Sequence, residues 1–128
     1  LNALPLIFTA LIISRIMQVE MAVTLPYARL DGTGAPFIKN AGPKHRFFAY
    51  IWGLCLLVFI SGLFAIGYLI VSFFVSKLLK RYYQNMVGGV TGDLLGVTNE
   101  LIECFILLIP LFFIEKLEIN QFFFLTLF

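Results

Sequence analysis

Long, unspaced apolar runs dominate this chain, and polar residues gather in the short stretches between them. The first run covers residues 4–23, close to the ~20 residues that a membrane-spanning helix needs. A polar segment containing Gly and Pro fills 24–46. Apolar character then resumes at Phe47 and continues almost unbroken to Leu79. As one helix that second run would reach roughly 50 Å at 1.5 Å per residue, against a hydrocarbon core of about 30 Å. It therefore divides near Ser61 and Gly62 into two helices, 47–61 and 63–79. A last run over 94–114 ends at Glu115-Lys116-Leu117-Glu118, and 122–128 is apolar but too short to cross. Strict two-residue alternation is absent, so helices are expected rather than a barrel. The predicted fold is all-α: a polytopic transmembrane helical bundle of about four spans.

Composition agrees with lipid as the solvent. Of 128 residues 61% are hydrophobic and only 12% are charged, which would leave a soluble domain of this size with a largely apolar surface. The chain opens at Leu1 and is apolar from the start, so it is read as the truncated C-terminal part (1–128) of a single transmembrane domain. A cleaved signal peptide does not fit, because the first run carries Arg15, Gln18 and Glu20 and lacks a small-residue cleavage site. Cys55 and Cys104 sit inside apolar runs and read as packing residues. The net charge of +2 is too small to suggest nucleic acid, but its placement sets a topology. Lys44, His45 and Arg46 precede the long run, while Lys77, Lys80 and Arg81 follow it. Two spans between them put both clusters on the cytoplasmic side, with both chain ends outside. Trp52, Tyr50, Tyr82 and Tyr83 then read as interfacial aromatics, and His45 as an interface anchor.

That topology brings two irregular segments to one face. The stronger is Gly88-Gly-Val-Thr-Gly-Asp93-Leu-Leu-Gly96, followed by Glu100 and Glu103. With a helix starting near Asp93, Asp93 and Glu100 differ by about 20° and Glu103 lies about 60° further round, so three carboxylates share a face with Gly96 between them. Oxygen ligands at a membrane surface suit magnesium, which binds through one or two carboxylates and keeps phosphates and water in its other positions. Backbone N–H groups at Gly88, Gly89, Thr91 and Gly92 could meet a phosphate at a helix N-terminus. The blander reading is a broken loop in which Asp93 caps the helix and the glutamates pair with Lys or Arg. The second segment is Leu25-Pro-Tyr-Ala-Arg29 with Asp31-Gly-Thr-Gly34, where Arg29 is either a phosphate ligand or a topology anchor. Arg15, mid-span, pairs with an acid of the last helix or reaches substrate.

The glycine-rich run with Glu100 and Glu103 resembles the C-terminal signature of cobalamin synthases, the adenosylcobinamide-GDP ribazoletransferase family. So does Leu25-Pro-Tyr-Ala-Arg29 with its trailing Gly-x-Gly and Phe37, placed after an Arg15-bearing span. The resemblance covers about residues 15–110. It implies a multi-pass enzyme of the bacterial or archaeal cytoplasmic membrane, dependent on Mg2+, that joins adenosylcobinamide-GDP to α-ribazole or its 5′-phosphate and releases GMP. Asp93, Glu100 and Arg29 are then the catalytic candidates, Asp93, Glu100 and Glu103 the metal ligands, and Gly88, Gly89, Thr91, Gly92, Gly96 and Arg15 the substrate-binding set. Partners are these substrates and the lipid bilayer, with no nucleic acid and with room for a homo-oligomer. The family's aspartate-rich motif belongs to an N-terminal half outside this chain, so the segment alone is expected to be inactive. Val97 and Asn99 also stand where the family has smaller or more apolar residues.

Two other readings compete. A phospholipid-headgroup CDP-alcohol phosphotransferase shares the chemistry, but its Asp-x-x-Asp-Gly-x-x-Ala-Arg pattern does not occur here. A small transporter or channel would instead use Arg15, Glu100 and Glu103 along a path. The topology itself is testable: single cysteines placed in 24–46 and in 77–93 should both react with an impermeant reagent from the cytoplasmic side. Labelling from opposite faces contradicts the hairpin arrangement.

Overall fold

The computed structural model describes the backbone over 3–30 and 32–126, and side chains over 4–30 and 32–112. Five helices follow one another: α1 (Ala3–Thr24), α2 (Ala35–Asn40), α3 (Pro43–Ser61), α4 (Phe64–Val87) and α5 (Gly92–Thr126). No strand occurs among the described residues, only an isolated bridge between two loops. Three stretches are long and apolar enough to span a membrane: Leu4–Thr24, Pro43–Ser61 and Gly92–Phe112. At 24 residues α4 has the length, but its second half carries Lys77, Lys80 and Arg81.

The boundaries follow local chemistry. α3 stops at Ser61, and Gly62 turns the chain with φ 66°, at the point where the length of the apolar run demands a break. α3 begins at Pro43 instead of Phe47, because Pro at the first helical position loses no hydrogen bond and Gly42 N–H donates to His45 Nδ1 at 3.1 Å. The expected loop over 24–46 also contains α2. α4 runs past Leu79 to Val87, since nothing from Lys80 to Met86 breaks a helix, and it ends where Gly88 takes the left-handed conformation (φ 77°) and its N–H reaches Gln84 O. α5 likewise does not end at Ile114: the helix-favouring Glu115-Lys-Leu-Glu118 continues it to Thr126, with Pro110 inside. The side chains of Glu115, Lys116 and Glu118, and the structure of Leu127 and Phe128, lie outside the described residues.

α1 is the central helix, packed chiefly against α5 and α3 and also against α4. Its polar contacts set the register of its neighbours. Thr9 Oγ1 meets Ser61 Oγ at one end of α3, and Tyr50 O–H donates to Glu20 Oε2 (3.3 Å) at the other, so α1 and α3 run antiparallel. Ser14 Oγ donates to Glu103 Oε1 (2.9 Å) and Gln18 Nε2 to Leu95 O (3.4 Å), which makes α5 antiparallel to α1 as well. One apolar cluster, including Ile13, Met17, Leu57, Ile102 and Ile106, fills the middle of the bundle. A second, with Met21, Leu25, Ile38, Tyr83, Val90 and Leu95, closes the end that carries the loops.

The charged residues depart from expectation. Arg15 is exposed and donates to Gln18 Oε1 (3.1 Å), because its neighbour Ser14 takes the buried face toward Glu103. The buried charge is Glu20, 4% exposed, which accepts Lys80 Nζ at 2.7 Å and Tyr50 O–H, with Arg46 Nε at 4.0 Å. Tyr50 is therefore a partner of the carboxylate and not only an interfacial ring. Tyr83 is 2% exposed and accepts Thr98 Oγ1 at 3.1 Å, so it is a core residue, whereas Trp52 and Tyr82 are exposed as an interfacial reading requires. Removing one member of a buried pair leaves an uncompensated charge at about 3–5 kcal/mol. Glu20→Gln and Lys80→Met should each destabilise by roughly that amount, and the double variant by clearly less than their sum, in thermal unfolding in detergent. Additive losses would remove the ion pair from the account.

Candidate functional site

The two irregular segments form one structure. Ala28 N–H donates to Val90 O (2.9 Å) and Val90 N–H donates to Pro26 O (2.8 Å), a parallel bridge centred on Tyr27 and Val90. Val90 is fully buried in the cluster beneath. Gly89 is needed for this approach: a Cβ there would overlap the Pro26 carbonyl oxygen. Further along, Gly34 lies against Gly92, and a Cβ on Gly34 would come within 2.9 Å of the Gly92 Cα. The Leu25-Pro-Tyr-Ala-Arg29 turn thus meets the 88–93 segment at Gly89 and Val90, and the Gly-x-Gly meets it at Gly92.

Locking the loops sets two charges face to face. Arg29 Nη1 lies 3.2 Å from Asp93 Oδ2, both side chains well exposed. The pair stands over a cleft of about 260 Å³ whose walls include Ala28, Met86, Val87, Thr91 and Leu94. The α5 N-terminus is capped by Thr91, not by Asp93: Leu94 N–H donates to Thr91 Oγ1 (3.3 Å) and Leu95 N–H to Thr91 O (3.0 Å). The Asp93 carboxylate is therefore not spent on a cap and remains available to Arg29 and to the cleft. The N–H groups of Gly92 and Asp93, in the first turn, have no intrahelical acceptor. Asp31 lies outside the described residues.

The other candidates are placed less centrally. Glu100 is exposed on α5, two turns from Asp93. Glu103 is half-buried and turned to α1, where its Oε1 accepts both Ser14 Oγ (2.9 Å) and Asn99 Nδ2 (2.6 Å). Asn99, a departure from the resembled pattern, thus fixes Glu103. Among the described residues no three His, Cys, Asp or Glu side chains converge as a metal-ligand set. The shared face predicted for the three carboxylates divides, because α5 packs its Glu103 side against α1 and leaves Asp93 and Glu100 facing away from the bundle. At Gly96 a Cβ would meet nothing within 4 Å, so among the described residues no other segment's backbone approaches there. Arg15 lies on α1 with Gln18 and is not brought to the cleft. Sequence reasoning missed the Glu20, Lys80 and Arg46 cluster beneath the site; the signal was an acid in an apolar span with basic clusters on the same side.

A family model described as Cobalamin-5-phosphate synthase matches residues 1–111. Curated relatives include the adenosylcobinamide-GDP ribazoletransferases of Chlorobaculum parvum (34% identical over 110 residues; 80% of this chain, 42% of the relative) and Chlorobaculum tepidum (34% over 124 residues; 91% and 47%). The namesake from Clostridium tetani is 31% identical over 110 residues, covering 85% of this chain and 42% of its own length. The chain therefore spans less than half the length of these relatives. No solved structure matches. The matched region contains both paired loops and the helices that carry them, and on that match the chain belongs to the cobalamin-5-phosphate synthase family.

Proposed function

We propose that this chain supplies one wall of an adenosylcobinamide-GDP ribazoletransferase site. In the intact protein a ribose hydroxyl of α-ribazole, or of its 5′-phosphate, attacks the phosphate that joins cobinamide to GMP. The new oxygen–phosphorus bond forms as the bond to GMP breaks; GMP leaves and the hydroxyl proton is lost. What supports this is the bridge that sets Arg29 beside Asp93 over an open cleft, in a chain whose family relatives carry that transferase name.

Each residue has a physical task in this reading. Arg29 can grip two oxygens of one phosphate. The free N–H groups of Gly92 and Asp93 favour an anion through the partial positive charge of the α5 N-terminus. Asp93, exposed with room for water and phosphate beside it, fits the one-carboxylate mode of magnesium, and Glu100 on the same helix is the second candidate ligand. Magnesium held there would neutralise charge gathering on the leaving nucleotide. Glu103, tied to Ser14 and Asn99, anchors α5 to α1 and thereby fixes the direction of Glu100. Two carboxylates leave the remaining positions of such an ion to substrate phosphates and water. The same reading puts the cleft on the cytoplasmic side of a cell membrane, where the nucleotide substrate is found.

Asp93→Asn in a full-length protein carrying this segment tests the assignment. Thr91 supplies the helix cap, so the substitution should leave the protein inserted and its thermal stability within about 1 kcal/mol. GMP release in proteoliposomes should fall by at least about 100-fold, equivalent to about 2.7 kcal/mol of transition-state stabilisation. Arg29→Lys should raise KM for the nucleotide substrate more than it lowers kcat, because an ammonium cannot reproduce a bidentate grip. Near-normal turnover with unchanged magnesium dependence in Asp93→Asn overturns the role given to this carboxylate.

A further inference from the structure

A second concavity lies away from the cleft, where α2 crosses between the end of α1 and the start of α3. Its volume is about 590 Å³, and it is walled by Val19, Pro36, Phe37, Ala41, His45 and Phe48. A space of that size accepts a small ligand or part of an acyl chain. Val19 and Phe48 each lie five residues inside the ends of candidate spans Leu4–Thr24 and Pro43–Ser61, roughly 8 Å along each helix. The floor of the groove is therefore at the boundary of the hydrocarbon, and α2 forms its rim on the loop side.

The segment that contributes most of the lining, residues 32–48, carries one sign of charge. Residues 32–48 contain Lys39, Lys44, His45 and Arg46 and no carboxylate. Lys39 and Lys44 are exposed, have no ion-pair partner among the described residues, and are sequence neighbours of the lining residues Asn40 and His45. The carboxylate beneath, Glu20, is buried and already bound at 2.7 Å by Lys80. His45 accepts Gly42 N–H on Nδ1, which leaves Nε2 of the neutral ring as a donor. An apolar groove at membrane depth, with the His45 N–H donor on its wall and the unmatched Lys39 and Lys44 next in sequence to its lining, fits a molecule with a fatty chain and an anionic head. We propose that this groove is a site for an anionic phospholipid of the surrounding bilayer: an acyl chain lies along Phe37, Pro36 and Phe48, and the headgroup phosphate meets Lys39, Lys44 and His45. Basic residues at a membrane surface contribute additively to such binding. The site is independent of the transferase reading, since none of its residues lines the Arg29–Asp93 cleft.

The test is native mass spectrometry of a full-length protein carrying this segment, purified in mild detergent and offered phosphatidylglycerol and phosphatidylcholine of equal chain length. The wild type should retain phosphatidylglycerol preferentially. Lys39→Gln with Lys44→Gln, both exposed and outside the buried ion pair, should lower that preference by about 30-fold. Phe37→Ser should reduce retention of both lipids while leaving the preference. Three results overturn the proposal: equal retention of the two lipids by the wild type, an unchanged preference in the double lysine variant, or displacement of the bound lipid by α-ribazole, which would assign the groove to the substrate.

Discussion

Two backbone hydrogen bonds, from Ala28 N–H to Val90 O and from Val90 N–H to Pro26 O, join segments more than sixty residues apart. Everything unusual in the chain depends on that bridge. Without it Arg29 is a cation at the end of a helix, and Asp93 is an acid on the first turn of another. With it they face each other at 3.2 Å over a cleft. The bridge in turn requires Gly89, whose missing side chain makes room for the Pro26 carbonyl, and Gly88, whose left-handed conformation stops α4 in time for the loop to turn back.

The helices beneath hold the loops at the correct height. A loop pairing made at the ends of α1 and α4 survives only if those helices cannot slide, and apolar faces in lipid specify register poorly because lipid is as apolar as the partner helix. Polar contacts do that work here. Glu20 collects Lys80 from α4 and Tyr50 and Arg46 from α3, while Ser14 and Gln18 fix α5 through Glu103 and Leu95. Each would be costly to leave unpaired in a membrane interior. A buried ion pair contributes little net stability but penalises every other register, which suits a site assembled from two loops.

Much of this was legible in the sequence because the membrane simplifies the code. Run lengths gave helices, the basic clusters near Phe47 and Leu79 pointed to one shared end of the bundle, where Arg46 and Lys80 meet Glu20, and the length of the 47–79 run located the turn at Gly62. The loop motifs were legible as glycines and charges at fixed spacing. Their pairing was not, since a two-residue parallel bridge leaves no periodicity to read. Nor could helical angles alone show which carboxylate faces inward: Asp93, Glu100 and Glu103 lie on one broad arc, and the packing of α5 on α1 decides that Glu103 is bound while the others remain exposed. Glu20 was hidden for the same reason, because its partners come from helices more than twenty residues away in sequence.

The pairing of the two loops is the claim on which the site stands, and disulfide trapping measures it most directly. In a full-length protein carrying this segment, with Cys55 and Cys104 replaced, Tyr27→Cys and Val90→Cys should be joined rapidly by mild oxidation, since bridged neighbours lie about 5 Å apart, within reach of a disulfide. Tyr27→Cys with Ser61→Cys, at opposite ends of the bundle, should not react. Cross-linking of Tyr27 and Val90 no faster than that control pair would contradict the bridge and, with it, the shared site.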